Sequence, residues 1–218
     1  MIRPLYFHNP NQEGFEAIIK HLHSKNYKFI SIEELYSRLE KNDTKGKLAY
    51  ISFDDGWQGN LKLIPIIEKY NVHITIFIAV NPIMSGNFWW EFVAKKVGYT
   101  QMQNFKNLPH DEFESQLKKI KTEVADLQRS AMTIDELETI TKHPLISIQS
   151  HTINHPILTK LPDDLLDFEL SESQKQLEKI TGKSIFAFSY PNGSISHREI
   201  NACLLYTSDA ADDRISVD

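Results

Sequence analysis

Residues 48–56 read LAYISFDDG, and this stretch indicates the fold more directly than any other part of the chain. Its first six residues form a nearly continuous apolar run of strand length, as expected for a strand buried on both faces of a sheet. Asp54 and Asp55 follow directly. Because functional residues of parallel α/β folds gather at the carboxyl ends of the strands, the stretch predicts a buried strand that delivers two carboxylates to a site.

The two carboxylates lie side by side in apolar surroundings. Their mutual repulsion and lost hydration require a cation or a shared proton. Successive strand residues point in different directions, so one Asp can bind a metal while the other stays free as a base. Gly56 permits a tight turn. An ordinary loop in which an Asp caps the next helix explains the pentapeptide equally well, so the motif alone leaves both interpretations open.

Strands and helices alternate on either side of this run. Further strands are predicted over residues 3–7, 27–30, 73–80, 145–149 and 184–190. Helices are predicted over residues 12–25, 58–70 and 163–180, and after capping boxes that begin at Ser31 and Thr133. This alternation predicts a parallel sheet with right-handed crossovers. Residues from about 81 to 130 are charged with helical periodicity, which predicts a helical insertion within one domain.

A second motif, HTINHP, occupies residues 151–156 directly after a predicted strand. The spacing of His151 and His155 predicts two imidazoles on one face of a helical turn, as a single divalent ion needs. A pair of loop histidines without a ligand is the alternative. Two histidines and one carboxylate form a familiar open metal site with positions left for water and substrate.

The third motif, SYPNG at residues 189–193, again follows a predicted strand. A simple Pro-Asn-Gly turn explains it when it is taken alone. In the order SFDDG, HTINHP and FSYPNG, however, the three motifs closely resemble the polysaccharide deacetylase (NodB-homology) family. The stretches PLYFH, MTIDELETI and ESQKQLEKITGK also resemble family members, and the likeness extends over roughly residues 2–202.

The resemblance implies a distorted (β/α) barrel, here missing its C-terminal strand or strands, and a metal-dependent hydrolase that removes N-acetyl groups from N-acetylglucosamine-containing glycans. It implies that Asp55, His151 and His155 bind a divalent metal, most often Zn²⁺. Asp54 would be the catalytic base that deprotonates the attacking water, and the backbone N–H of Asn192 would stabilise the oxyanion. The substrate would be an acetylated glycan or glycoconjugate. Its sugar rings would contact Trp57, Tyr190 and Pro191.

Two departures from the family pattern affect this expectation. Ser189 stands where many members have an arginine that orients the base, so the positioning of Asp54 is left open. The family's last motifs, including the Leu-x-x-His that supplies a general-acid histidine, would fall after residue 202 and are absent there. From Cys203 onward the chain reads CLLYTSDAADDRISVD, which resembles the translation of a sequencing-library adapter. We therefore expect an incomplete deacetylase domain over residues 1–202 and a non-native tail over residues 203–218.

Composition excludes several other classes. The chain has 218 residues, a net charge of −5 and one cysteine, so any metal must be held by histidine and carboxylate. The acidic balance argues against a nucleic-acid partner. No apolar run is long enough for a transmembrane segment. No signal peptide is recognised at the first residues, which gives a cytoplasmic location as the default expectation.

Several alternatives remain open at this stage. The same scaffold could remove O-acetyl groups or hydrolyse another amide, or the chain could be a non-catalytic carbohydrate-binding or metal-binding member. For Trp89 and Trp90, packing of the insertion is at least as good an interpretation as sugar stacking. His8 could line the mouth of the site, but a packing role is favoured.

Overall fold

The computed structural model describes residues 2–212, and it describes side chains for residues 2–204. Within these residues one parallel sheet contains the strands Ile2–Phe7 (β1), Lys28–Ile30 (β2), Leu48–Phe53 (β3), Ile74–Ile78 (β4) and Ile146–Ser150 (β5). The sheet is accompanied by helices, so the predicted α/β class is confirmed.

Strand β3 is the centre of the sheet. β1 pairs with its whole length, from Leu48 to Phe53. β2 pairs with its first three residues and β4 with its last three, and β5 pairs with β4. All six residues of β3 are buried, as the apolar run predicts. Because every pair is parallel, the carboxyl ends of the strands meet at one edge of the sheet.

Ten α-helices occur within residues 2–212. They are Gln12–Ser24 (α1), Ile32–Glu40 (α2), Ile64–Tyr70 (α3), Val80–Ser85 (α4), Trp89–Val97 (α5), Tyr99–Phe105 (α6), His110–Glu123 (α7), Ile134–Ile140 (α8), Asp163–Thr181 (α9) and His197–Asp212 (α10). Short 3-10 helices cover Gln58–Leu63, Leu158–Lys160 and Pro191–Gly193. No helix in the described part of the chain is both long enough and apolar enough to cross a membrane.

The predicted helix boundaries rest on identifiable caps. The Thr133 side chain accepts a hydrogen bond from the backbone N–H of Glu136, whose carboxylate accepts one from Thr133 N–H, so this capping box is confirmed. The Ser31 side chain accepts from Glu34 N–H as predicted, but the Glu34 carboxylate instead binds Lys28 and Arg38. Gly182 ends α9 in the left-handed conformation.

Two predicted elements differ from the structure. The single helix predicted over residues 58–70 divides into a 3-10 helix and α3, because Pro65 lacks the N–H that a continuous helix needs. The strand predicted over residues 184–190 is wrong, since it forms only an isolated bridge between Phe188 and Ser150. The side-chain oxygen of Gln149 accepts hydrogen bonds from the backbone N–H groups of Phe186 and Ala187. These two N–H groups therefore do not take part in a backbone ladder.

The helical segment of residues 81–130, predicted to be an insertion and called the insertion below, has a hydrophobic core of its own. α4 to α7 cover most of the segment predicted to be helical. α5 to α7 and the residues after them bury the side chains of Trp89, Val93, Met102, Phe105, Phe113, Leu117, Ile120 and Val124 in a cluster separate from the one beneath the sheet. Trp90 is packed against both clusters, so it links the insertion to the main core.

Helix α10 continues through residues 203–212, the first part of the expected adapter-derived tail. The side chain of Cys203 is buried against Leu158, Leu161, Leu166 and Leu170. The remainder of that tail, residues 213–218, lies outside the described residues. The origin of the tail stays a prediction.

Candidate metal centre and active-site cleft

The carboxyl ends of β3 and β5 bring three potential metal ligands together. Asp55 follows β3, whereas His151 and His155 follow β5. One ligand atom from each residue lies within 4.8 Å of the others. All three side chains are buried, with relative exposures of 1% for Asp55, 2% for His151 and 6% for His155.

The geometry of Asp55 fits a cation. Its Oδ1 atom lies 3.5 Å from His151 Nε2 and 3.3 Å from His155 Nε2. Within the described residues, Oδ1 accepts no hydrogen bond, although it is buried. A buried carboxylate oxygen without a donor is rare and calls for a compensating charge. Two nitrogens and one oxygen around a common point are a donor set that a divalent ion accepts.

Neighbouring groups fix the orientation of two of the three ligands. The Nδ1 of His151 lies 2.7 Å from the carbonyl oxygen of Ser189. A carbonyl only accepts, so Nδ1 must carry the proton, and the lone pair of His151 stands on Nε2, which faces Asp55. The indole N–H of Trp57 donates to Asp55 Oδ2 at 2.8 Å. The other ligand atoms of these two residues, His151 Nε2 and Asp55 Oδ1, therefore face each other.

The loop that holds the histidines is not helical. The helical turn predicted for residues 151–155 is wrong, because Thr152 has a φ of 73° and His155 a φ of 56°. These two left-handed residues turn the chain so that the two imidazole rings still converge, with centroids 4.8 Å apart. The backbone N–H of His155 donates to the hydroxyl of Thr152 at 2.9 Å, which closes the loop on itself.

Asp54 lies beside the three ligands and is only partly buried. Burial is the main influence on its carboxyl and raises the pKa, while His151 and a hydrogen bond with the Ser189 side chain act in the opposite direction. A raised pKa brings a carboxylate closer to the range useful for proton transfer near neutral pH. Ser189, noted above as replacing an arginine, thus contacts His151 through its carbonyl oxygen, and its side chain lowers the pKa of Asp54.

The charges of the buried ligands are strongly coupled. Burial opposes the ionisation of Asp55, but the two histidines outweigh it and hold the pKa of this carboxyl well below its usual range. Burial also disfavours the charged form of both histidines. For His151 the carboxylate of Asp55 prevails and raises the pKa, whereas for His155 burial prevails and lowers it. The two histidines thus favour the ionised form of the buried Asp55 carboxyl.

A cleft of about 580 Å³ opens above these residues. Of the residues predicted from sequence, Asp54, Asp55, Trp57, His151, His155, Tyr190 and Asn192 line it. Pro191 does not line the cleft and is buried beneath the turn. Asn192 adopts a left-handed φ of 59° in that turn. The three motifs therefore meet in one cleft.

Sequence reasoning missed most of one wall of the cleft. Tyr99, Met102, Gln103 and Lys106 of the insertion line it, and so does Tyr6, together with Trp90 and His8, which were considered from sequence. The position of Tyr6 at the end of β1 could have indicated it, because strand ends collect at this edge. No motif marks the residues of α6. The alternative given less weight for His8, at the mouth of the site, is the one that the structure shows.

The tryptophans have different surroundings. Trp57 stacks against Phe88 with ring centroids 4.4 Å apart, while its N–H is held by Asp55. Trp89 is buried in the insertion, and its N–H donates to the carbonyl of His155 at 3.0 Å. Trp90 packs edge-on against the His155 ring at 4.6 Å and reaches the cleft. The insertion therefore braces the metal-site loop directly.

Sequence comparison identifies the family. A model of the polysaccharide deacetylase family matches residues 41–206, which is most of the chain. The chain belongs to the polysaccharide deacetylase family. YxkH of Bacillus subtilis (strain 168), named as a polysaccharide deacetylase, is 24% identical over 195 residues. These residues are 88% of this chain and 54% of YxkH, so the chain spans about half the length of that relative.

Solved structures of deacetylases share the fold. The Streptococcus pyogenes deacetylase PplD, described in complex with acetate, has 18% identity and a TM-score of 0.67, covering 94% of this chain and 79% of PplD. A de-N-acetylase from Aggregatibacter actinomycetemcomitans has 15% identity and a TM-score of 0.65, covering 94% of this chain and 84% of that enzyme. At these identities the similarity establishes the fold.

Proposed function

We propose that this chain is a metal-dependent hydrolase that removes N-acetyl groups from N-acetylglucosamine-containing glycans or glycoconjugates. The observation that carries the proposal is the buried group of Asp55, His151 and His155 with the separate carboxylate of Asp54 beside it. Hydrolysis of an amide is promoted by a Lewis acid that polarises the carbonyl and by a base that accepts a proton from water, both at the same place. The cleft supplies residues suited to both roles.

Asp55, His151 and His155 would hold the metal, and we propose Zn²⁺. Zinc accepts imidazole nitrogen and carboxylate oxygen in open sites with three protein ligands. Bound there, the ion would lower the pKa of water and polarise an acetyl carbonyl. The indole N–H of Trp57 donates to Asp55 Oδ2, and the carbonyl of Ser189 accepts from His151 Nδ1. Both contacts support this assignment, because such outer contacts orient metal ligands.

The remaining chemistry belongs to other residues of the cleft. Asp54 would accept the proton of the attacking water, and Ser189, whose side chain lowers the pKa of Asp54, would help to orient it in the absence of an arginine. The backbone N–H of Asn192 would donate to the developing oxyanion. Trp57 and Tyr190 would contact the sugar ring from the walls, with Pro191 supporting the turn from below.

The choice between amide and ester is tested by acetate release. We expect the zinc-loaded chain to release acetate from acetylated chitooligosaccharides and not from acetylated xylan. The de-N-acetylase with a similar fold supports the amide substrate, although that activity belongs to that enzyme alone. Release from xylan only would overturn the amide assignment in favour of an O-acetyl esterase. Metal binding without any acetate release would favour the non-catalytic alternative.

Metal content tests the ligand assignment separately. We expect His155→Ala to lose nearly all bound zinc after dialysis, as measured by elemental analysis, because two ligands rarely hold the ion against chelation. His21→Ala is the matched control, since His21 is an exposed histidine at the end of α1. Equal zinc content in wild type and His155→Ala would refute the site.

A further inference from the structure

The loop that carries the two histidines is clamped from behind by a buried carboxylate of α9. Glu169 is only 5% exposed. Its Oε2 accepts the backbone N–H groups of Ile153 and Asn154, both at 2.9 Å, and its Oε1 accepts the side-chain N–H of Asn154 at 2.6 Å. Hydrogen bonds to an ionised acceptor are among the strong ones in proteins. All three donors lie between His151 and His155.

The same loop is held on its other side by α4. The backbone N–H groups of Val80 and Asn81 donate to the carbonyls of Thr152 and Ile153 at 3.1 and 2.8 Å. The side chain of Asn81 donates to Asn154 Oδ1 at 2.7 Å. The side-chain oxygen of Asn154 therefore accepts from Asn81, and its side-chain nitrogen donates to Glu169. Rotating this side-chain amide by 180° would break both hydrogen bonds.

The clamp acts where the backbone is strained. Thr152 and His155 are both left-handed, and this region is unfavourable for a β-branched residue in particular. Such residues are strained and persist only where their surroundings enforce the conformation. The contacts of Glu169 fall on the two residues between these positions. Without Glu169 the loop would lose three of the contacts that enforce this conformation, and we expect His155 to be held less firmly in the position that faces Asp55.

We propose that Glu169 is a positioning residue for the metal site, which holds the histidine loop in the strained conformation that brings His151 and His155 onto one ion. The inference rests on the proposed function, because it concerns the metal ligands assigned there. Glu169 does not line the cleft with Asp54 and Asp55, so its effect must pass through the loop.

Exchanging the two partners provides a reciprocal test. Glu169→Gln places an amide nitrogen against the amide nitrogen of Asn154, so two donors face each other. Asn154→Asp places a carboxylate against the carboxylate of Glu169. The double variant restores a donor on residue 169 and an acceptor on residue 154, while Asn81 and the two backbone N–H groups keep their acceptors. A double-mutant cycle isolates the contribution of this contact.

Zinc affinity, measured by competition with a chelator, is the primary readout. We expect each single variant to weaken zinc binding about 10-fold, in the range found for groups that orient metal ligands, and the double variant to recover most of the loss. Excess zinc should restore kcat of Glu169→Gln, because the defect lies in loading the site. A role confined to general stability would lower the melting temperature of the metal-free protein without either rescue.

Two reference variants keep the outcomes distinct. Asp167→Asn changes a carboxylate to an amide on the exposed side of α9, and we expect it to bind zinc like wild type. His155→Ala reports on the site itself. If His155→Ala retained zinc, the proposed function would fail, whatever Glu169 did. If His155→Ala lost zinc but Glu169→Gln bound it like wild type, or the double variant were no better than the product of the singles, the positioning role would be overturned.

Discussion

The two sides of the cleft are built in different ways. The sheet side, at the ends of β3 and β5, holds buried groups with fixed partners: Asp55 accepts a hydrogen bond from Trp57, and His151 contacts the carbonyl of Ser189. The inserted side combines the buried Met102 with the ring of Tyr99, which is 70% exposed. Buried, hydrogen-bonded groups are suited to chemistry, since they keep one geometry, whereas exposed side chains can adapt to a ligand. We therefore expect the proposed reaction at the sheet side and recognition at the exposed part of the insertion.

The insertion is nevertheless anchored. Its own hydrophobic cluster lets it form a stable wall, and the Trp89 N–H ties it to the carbonyl of His155. Trp90 packs on the ring of the same histidine. Trp89 and Trp90 thus form the anchored base of this wall, whereas α6 forms its exposed part. Variants at the base should disturb the metal site, and variants at α6 should disturb substrate binding alone.

The largest effect is expected at Asp54, on the sheet side. Asp54→Asn removes the proposed base but none of the proposed metal ligands. We expect deacetylation to fall about 10²- to 10⁴-fold, the usual contribution of a positioned general base, with zinc content unchanged. The rate on acetylated chitooligosaccharides and elemental analysis measure the two quantities.

Asp55→Asn is the control for this separation. It changes the adjacent carboxylate, whose Oδ1 faces both histidines, and we expect it to lose zinc together with activity. If Asp54→Asn also lost zinc, the division of roles between the two carboxylates would be wrong. If it kept both zinc and activity, another group would be the base.

A smaller effect is expected at Trp57, at the boundary between the two sides. Trp57→Phe removes the N–H that donates to Asp55 Oδ2 but keeps a ring against Phe88. We expect zinc affinity to fall about 10-fold, as for other groups that orient a ligand. The affinity is measured by chelator competition. An unchanged zinc affinity with a raised KM would instead favour the sugar-stacking role predicted from sequence.

The sequence predicted the sheet side well because strand ends obey a simple rule. β3 was predicted from its apolar run, and the two histidines follow a second such run. The conformation of the histidine loop was mistaken, because the spacing of His151 and His155 does not reveal that Thr152 and His155 itself are left-handed. Glu169 was not found either, since its role depends on where α9 packs in three dimensions.

The third motif and the insertion show two other limits. Residues 184–190 have strand-like composition, but the Gln149 side chain takes the N–H groups that a ladder would have used. Such a contact between a side chain and a distant backbone leaves no local pattern. Helical periodicity predicted the helices of the insertion, in which Phe113 and Leu117 are buried. It could not show that α6 turns Tyr99 toward the cleft, because exposed positions carry no periodic signal.

The smallest effect is expected on the inserted side. Tyr99→Ala removes an exposed ring from the cleft wall, and an aromatic contact contributes about 0.5–1.5 kcal/mol beyond its buried area, which is about 2- to 10-fold in affinity. We expect KM for a chitooligosaccharide to rise by this factor while kcat and zinc affinity stay unchanged.

Lys106 extends this prediction, because it lines the same wall and burial lowers the pKa of its amine, with the charge of Asp55 acting in the opposite direction. Lys106→Ala should likewise act on KM, whereas Lys118→Ala, at an exposed position of α7 outside the cleft, should act on neither parameter. A fall in kcat at constant KM for Tyr99→Ala or Lys106→Ala would mean that the insertion takes part in the reaction. The separation of recognition from chemistry would then be lost.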